Sequence, residues 1–270
     1  MRDSIGTGVP FGRIDLEYLL NHLDADKNDK LGLEPRATTA AEHFMLARYF
    51  MSKTVYFHKT VFGFEALMRH LLFLLRQEGK LWADGTAIKS IVKKDREFAR
   101  FHDDHVDSVI DARARSTDNT GRLCRCLRLR LAPVLLWECR ELSQKSGPRN
   151  EAAVRFQTRR RDRLAELAKK HHIPMECFLW EDPKDVSLER VGPLVGIEIE
   201  LGPDETEEVL RIVEKDGTSH PLISYDNSLV HHLSHLRLRT TRLYVVGLDK
   251  DHEAAKIAAI KADVAEWTNP

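Results

Sequence analysis

Apolar residues recur at three- and four-residue spacing from Ala40 to about Leu75, which predicts one long helix. We expect its apolar face to be buried. The residues on this face are Leu46, Phe50, Phe57, Val61, Phe64 and Met68. Thr39 and Glu42 have the spacing of a capping box at its start, and a bend is expected near Gly63.

A second face of the same predicted helix is polar, and such a stripe can line a binding site. Its residues are Arg48, Ser52, Tyr56, Lys59 and Thr60. Before this helix, Met1–Gly12 is rich in glycine and predicts a loop, while the polar stretch 23–35 predicts a small hairpin.

The rest of the chain changes character after Pro174. Further helices are predicted at Asp15–Leu23, Thr86–Phe101, Asp103–Ala114, Gly121–Ser143 with a kink at Pro133, and Asn150–Lys170. Beyond Pro174 the pattern predicts strands at Cys177–Trp180, Val195–Leu201, Glu208–Val213 and Leu243–Val246, a turn at Asp216-Gly217, and helices at Asn227–Leu236 and Asp251–Trp267. We therefore predict a mainly α fold with a helical region at 1–175 and an α+β region at 176–270.

Charge and composition narrow the function classes. Lys and Arg together number 42, as do Asp and Glu, so no overall field favours nucleic acid or lipid. Bases dominate residues 121–170 and acids dominate 181–216. The apolar runs are too short to cross a bilayer, and the first residues lack the apolar stretch of a secretory signal. We expect a cytoplasmic protein whose four cysteines are reduced.

Four stretches carry a family resemblance. Arg2–Ser4, Thr7–Asp15, Ala47–Met51 and Val55–Thr60 resemble successive blocks of the HD-domain phosphohydrolases, and the dNTP triphosphohydrolase type most of all. The resemblance is specific over about the first 80 residues, and it is only a matter of element order beyond them. It implies an HD-type helical bundle, incomplete in this chain.

The resemblance also implies metal-dependent hydrolysis of deoxynucleoside triphosphates (dNTPs) to deoxynucleoside and triphosphate. In the family a His, a His-Asp pair and a distant Asp hold a divalent transition metal or Mg²⁺, which activates water. Those ligands would precede Arg2, so we expect no metal ligands within this chain and no activity of the chain alone.

Site residues follow from the resemblance at matching positions. Asp3 resembles the carboxylate that accepts from the sugar 3′-hydroxyl, and Arg48 resembles the guanidinium that binds the triphosphate. Tyr56 resembles the aromatic residue that packs on the deoxyribose. His58 and Lys59 resemble residues of a regulatory nucleotide site between subunits, which implies a homo-oligomer. Solvated or ion-paired residues are the ordinary alternative for each position.

The chain departs from the family pattern at Ser52 and Thr54, which replace basic or imidazole groups of the animal relative. This puts the regulatory phosphate chemistry in doubt. The alternative function is a non-catalytic helical module for regulation or oligomerisation.

Five other patterns favour ordinary structure over function. Asp24-x-Asp26-x-Asn28 lacks the glycine and glutamate of a calcium loop, and His102-Asp103 suits an acidic helix start. Cys124 and Cys126 lie two residues apart on a predicted helix, an unsuitable spacing for zinc. The two remaining patterns are the basic run at 159–163 and the His231/His235 pair, which favour surface positions over nucleic acid or metal.

Overall fold

The computed structural model of the protein describes residues 2–10, 13–81, 84–94, 98–99, 102–144, 150–187 and 210–268. Side chains are included except at positions 2, 4, 159, 161, 182–187 and 268. The fold is mainly α with a small α+β part, which confirms the predicted fold class. The predicted strand Val195–Leu201 lies outside the described residues. Within the described ranges, no helix combines the length and apolar character needed to cross a membrane.

Helices account for most of the described chain. In order they are α1 Arg2–Thr7, α2 Leu16–Asn21, α3 Thr38–Met51, α4 Lys59–Gln77, α5 Gly85–Val92, α6 Asp103–Ala114, α7 Asn119–Arg128, α8 Glu151–His171, α9 Leu229–Ser234 and α10 Ala254–Ala265. A π-helical turn, Ser52–Tyr56, separates α3 from α4, and short 3-10 turns occur at Pro35–Ala37, Met175–Cys177, Leu222–Ser224 and Glu266–Thr268.

The strands form two small sheets. They are β1 Leu23–Ala25, β2 Leu31–Leu33, β3 Val134–Gln144, β4 Phe178–Ser187, β5 Arg211–Val213, β6 Ser219–Pro221 and β7 Leu236–Val245. One sheet has the order β1-β2-β5-β6 and the other β3-β7-β4. Antiparallel pairing of β1 with β2 confirms the predicted hairpin.

The chain divides into two compact units, each built from three separate segments. The first unit contains residues 1–58, 139–150 and 183–241, and the second contains 59–138, 151–182 and 242–270. The division at residue 175, which was drawn from changes along the sequence, stays a prediction.

The core of the first unit lies where α3 packs against the four-stranded sheet and α9. Its buried residues are Leu19, Leu33, Ala37, Ala41, Met45, Ile212, Leu222 and Val230. Asp26 lies in the turn after β1. Its carboxylate accepts from the backbone N–H of Asn28 and Lys30 in the same turn and, at 2.5 Å, from the hydroxyl of Ser219 on β6.

The second unit combines an apolar core with buried charge. Trp137, Phe156 and Trp180 stack with interplanar angles of 12–13°. Arg242 is fully buried, its guanidinium donates to Glu138 at 2.6 Å, and it lies 4.8 Å from the centre of the Phe62 ring. A buried charge that is paired in this way avoids the cost of an isolated one.

The predicted long helix is wrong as a single element. The interruption lies at Ser52–His58 instead of near Gly63, and the helical phase restarts at Lys59. The buried face of α4 consists of Phe62, Gly63, Ala66, Leu67, Leu71 and Leu75. Val61, predicted to be buried, is 43% exposed. A pattern read across the break therefore assigned the wrong face beyond it.

The predicted N-terminal loop and the predicted kinked helix are also wrong. The predicted loop at the N-terminus is α1, in which the Thr7 hydroxyl donates to the Asp3 carbonyl and Gly8, with φ of +68°, follows the last helical residue. Glycine in this conformation ends helices, so its presence did not require a loop. The predicted kinked helix 121–143 ends at Arg128, and the residues after Pro133 form β3.

The predicted capping box does not form. A 3-10 turn leads into α3, so the helix starts at Thr38 after an N-cap at Ala37, and no side chain caps it. The Glu42 carboxylate accepts instead from the Leu229 backbone N–H at the start of α9. Its role is to hold a second helix against α3.

Candidate functional site

A hydrogen bond joins two residues that lie far apart in sequence within the first unit. The Tyr56 hydroxyl donates to Oδ2 of Asp3 at 2.8 Å. Asp3 is on α1 and Tyr56 is the last residue of the π-helical turn. Asp3 is exposed and Tyr56 is 47% exposed, so both side chains are accessible to a ligand.

The surroundings of Tyr56 raise the pKa of its phenol above the ordinary value. The hydrogen bond to the Asp3 carboxylate is the main cause that raises the pKa of Tyr56, and partial burial adds to it. Arg48, in the last turn of α3, acts in the opposite direction because its positive charge favours the phenolate. Asp3, Tyr56 and Arg48 therefore belong to one electrostatic group.

The local backbone explains how Tyr56 reaches Asp3. The Phe57 N–H donates to the Ser52 carbonyl, five residues back, at 2.8 Å, which is the pairing of a π turn. Ser52 is only 6% exposed. The Thr54 hydroxyl donates to the Phe50 carbonyl at 2.7 Å. The predicted polar stripe is thus divided: Ser52 faces inward while Tyr56 faces Asp3.

His58 and Lys59 are both exposed and adjacent in sequence. The His58 N–H donates to the Val55 carbonyl at 3.1 Å, which closes the turn. The Lys59 carbonyl accepts from the Tyr244 hydroxyl at 2.9 Å within the second unit, at the start of α4. Their predicted regulatory role stays a prediction.

The described residues do not fit the divalent metal that the resemblance implies. No group of three or more His, Cys, Asp or Glu side chains in the described ranges could hold an ion. Asp26 serves the hairpin, and Asp103 lies in the first turn of α6 with His102 at its N-cap. We therefore derive no metal-dependent step from these side chains.

The histidine and cysteine patterns have local structural roles. The Nδ1 atom of His231 contacts the Ile223 carbonyl at 2.6 Å, and the His231 and His235 rings are 5.6 Å apart. Cys124 and Cys126 are buried and free in α7, and burial raises the pKa of both thiols, that of Cys124 to about 11. Thiols held in this protonated state are poor nucleophiles and poor metal ligands.

The basic run lies on α8, and part of it is engaged within the second unit. The Arg160 guanidinium lies 4.9 Å from the centre of the Trp180 ring. Lys170 and His171 both contact the Asp263 carboxylate, at 2.8 and 2.7 Å. These contacts give the basic residues a structural role in this unit.

Sequence reasoning named Asp3, Arg48 and Tyr56 but missed the backbone feature that presents Tyr56. Thr54 and Val55 are two successive β-branched residues, but Thr60 and Val61 form the same pair within the regular helix α4. Such residues are stiff at χ1 and lower helix propensity only slightly, so this local signal did not single out the place of the interruption.

The comparisons with known proteins agree with this fold. Residues 14–84 match the HD-associated region family. This segment contains Arg48 and Tyr56. No curated protein sequence matches the chain.

Two of the solved structures that resemble this chain match it over most of its length. One is a phosphohydrolase from Bacteroides thetaiotaomicron, with a TM-score of 0.57 and 19% identity over 91% of this chain and 59% of that one. The other is a hypothetical protein from Aquifex aeolicus, with a TM-score of 0.58 and 19% identity over 97% of this chain and 55% of that one. The chain thus spans little more than half the length of either, and at 19% identity these matches show a shared fold.

Proposed function

We propose that this chain is part of an HD-family dNTP triphosphohydrolase and supplies its sugar and phosphate contacts. The observation that supports this proposal is the 2.8 Å hydrogen bond between Tyr56 and Asp3, with the charge of Arg48 acting on the same phenol. A carboxylate, a neutral aromatic ring and a guanidinium are three groups suited to a nucleotide.

Each group has a distinct role in the proposal. A carboxylate has about four acceptor positions, so Asp3 can accept a sugar hydroxyl while it also accepts from Tyr56. Arg48 offers a planar fork of donors that pairs with two phosphate oxygens. The Tyr56 ring packs on the deoxyribose and leaves little room for a 2′-hydroxyl.

The divalent metal of the proposed reaction, a transition ion or Mg²⁺, would activate the attacking water. None of the described side chains is assigned to it. The proposal for this chain is limited to binding and orienting the nucleotide.

Thermal unfolding with an equimolar mixture of the four dNTPs tests the proposal. Binding to the folded state alone raises stability by about 2.7 kcal/mol at a ligand concentration one hundred times Kd. We expect the dNTP mixture to raise Tm more than the matching ribonucleotide mixture does. Arg48→Ala and Tyr56→Ala should abolish the increase.

Matched controls come from the same unit. Arg36→Ala and Tyr18→Ala remove an exposed arginine and an exposed tyrosine, and they should retain the dNTP effect. If dNTPs leave the Tm of the unmodified protein unchanged, the proposal is wrong and a non-catalytic regulatory or oligomerisation module is favoured.

A further inference from the structure

The π-helical turn sets the direction in which Tyr56 points. In a continuous α-helix, residues four apart lie on the same face. Ser52 and Tyr56 are four apart, yet Ser52 is 6% exposed and Tyr56 is 47% exposed. The wider turn changes the direction in which Tyr56 projects relative to the residues of α3, and the side chain that it presents is half exposed and bonded to Asp3.

A π turn is less favourable than the α-helical turn it replaces, so surrounding contacts must stabilise it. The Thr54 hydroxyl donates to the Phe50 carbonyl at 2.7 Å. This bond lies where main-chain pairing changes from four to five residues, as the Phe57 N–H bond to Ser52 shows. Threonine hydroxyls that bond four residues back are known to bend helices.

We propose that Thr54 is a positioning residue for the Tyr56–Asp3 pair and, through it, a determinant of which sugar the site accepts. Its hydroxyl holds the end of α3 in the geometry that opens into the π turn. The turn then places the Tyr56 hydroxyl within reach of Asp3. The part of this inference that concerns sugar choice rests on the proposed function.

Titration of the Tyr56 phenol tests the positioning role without any nucleotide. The signal is followed by NMR of protein with ¹³C-labelled tyrosine, and Tyr56→Phe identifies it. In Thr54→Val the hydroxyl is lost at nearly constant shape. We expect the pKa of Tyr56 to fall toward its ordinary value, because the hydrogen bond to Asp3 is the main cause that raises it. Thr54→Ser should restore the unmodified titration.

Thr158 provides a matched control. Its hydroxyl donates to the Val154 carbonyl, also four residues back, at 2.9 Å in the regular helix α8. Thr158→Val should leave the Tyr56 titration unchanged. Thr54→Ala gives the same readout with less steric change if the valine variant does not fold.

The outcomes separate this inference from the proposed function. An unchanged Tyr56 titration in a folded Thr54→Val or Thr54→Ala variant overturns the positioning role. If the unmodified protein prefers dNTPs to ribonucleotides, we expect Thr54→Val to lose that preference and Thr54→Ser to keep it. A preference unchanged in Thr54→Val overturns the role in sugar choice. Failure of the unmodified protein to bind any dNTP overturns the proposed function, and the titration still decides the positioning role.

Discussion

His70 lies on α4 with its Nε2 atom enclosed and without a hydrogen-bond partner among the described residues. Burial lowers the pKa of its imidazole, and a hydrogen bond with the Glu176 backbone opposes this only in part. The fold therefore favours the neutral ring, and protonation acts against folding. Stability should be fully present above the unfolded-state pKa of about 6.5 and should fall as the pH drops below it.

We expect His70→Gln to weaken this pH dependence. Between pH 7.5 and 5.5 the free energy of unfolding of the unmodified protein should fall relative to the variant, by at most about 1.4 kcal/mol per pH unit. Urea unfolding at several pH values measures it. The exposed His43 supplies the control His43→Gln. If the free energy of unfolding changes with pH by the same amount in His70→Gln and in the unmodified protein, His70 does not change its protonation on unfolding.

Single residues also show what the sequence could and could not predict. The structure brings Asp3 and Tyr56 together, and their proximity was implied by a resemblance, not by spacing, since 53 positions separate them. Asp26 was assigned to a hairpin tip because it lacked calcium-loop partners, but its bond to Ser219 required knowledge of the tertiary fold. Contacts between residues distant in sequence leave no local pattern.

At the scale of elements, α6 and α7 pack closely at Gly121. A Cβ at this position would lie 2.3 Å from the Ser116 carbonyl oxygen and 2.9 Å from that of Arg113, and both are backbone atoms. Because backbone cannot move as easily as a side-chain end, a larger residue requires the two helices to shift. Glycine here is a packing requirement.

Gly121→Ala should therefore destabilise the protein by about 1–3 kcal/mol, the typical cost of overpacking. Gly85→Ala is the matched control, because Gly85 also lies in a helix, α5, and a Cβ added to it would meet nothing within 4 Å. It should stabilise by about 0.4–1 kcal/mol through reduced freedom of the unfolded chain. Chemical denaturation compares the two. Equal effects of both substitutions would argue against close packing of the two helices.

The ion pair of Glu138 on β3 and Arg242 on β7 gives a second prediction for elements. Glu138→Ala should cost about 3–5 kcal/mol, since it leaves a fully buried guanidinium without this carboxylate. The double variant Glu138→Leu/Arg242→Met should cost less than the single one, because no charge remains buried there. Urea unfolding measures both. A double variant as unstable as the single one would contradict this interpretation.

Elements were predictable where their signals are local. The bounds of α6 were predicted as the structure has them, because an acidic first turn marks its start. The predicted helix 121–143 failed because apolar runs of moderate length suit both helix and strand. Pro133 should have carried more weight, as it precedes β3 and cannot continue a helix.

At the scale of the whole molecule, the described side chains include the proposed nucleotide contacts but no group of three or more His, Cys, Asp or Glu that could hold a metal ion. We expect the purified 270-residue chain to release no triphosphate from dNTPs with Mg²⁺ or Mn²⁺. Chromatography of the products measures this. Turnover with a stoichiometric bound ion would overturn the expectation.

We also propose that the chain forms a homo-oligomer. Sedimentation equilibrium tests this, and a mass equal to that of one chain would contradict it.

The mainly α fold class followed from periodicity alone. Periodicity did not predict which segments of the chain make up each of the two units. Their segments alternate along the chain, and of the five points where it passes from one to the other, the one after residue 182 lies near the start of the acid-rich stretch 181–216. Periodicity describes each element by itself. It contains no information on which distant segments share a core.

The alternating segments have a consequence for how this protein is made and inherited. The chain passes from one unit to the other after residues 58, 138, 150, 182 and 241. The first unit therefore becomes complete only when the ribosome has reached residue 241, and the second only after its last segment, 242–270, has been made. Neither unit corresponds to one continuous stretch of gene, so recombination cannot transfer either of them alone to another protein.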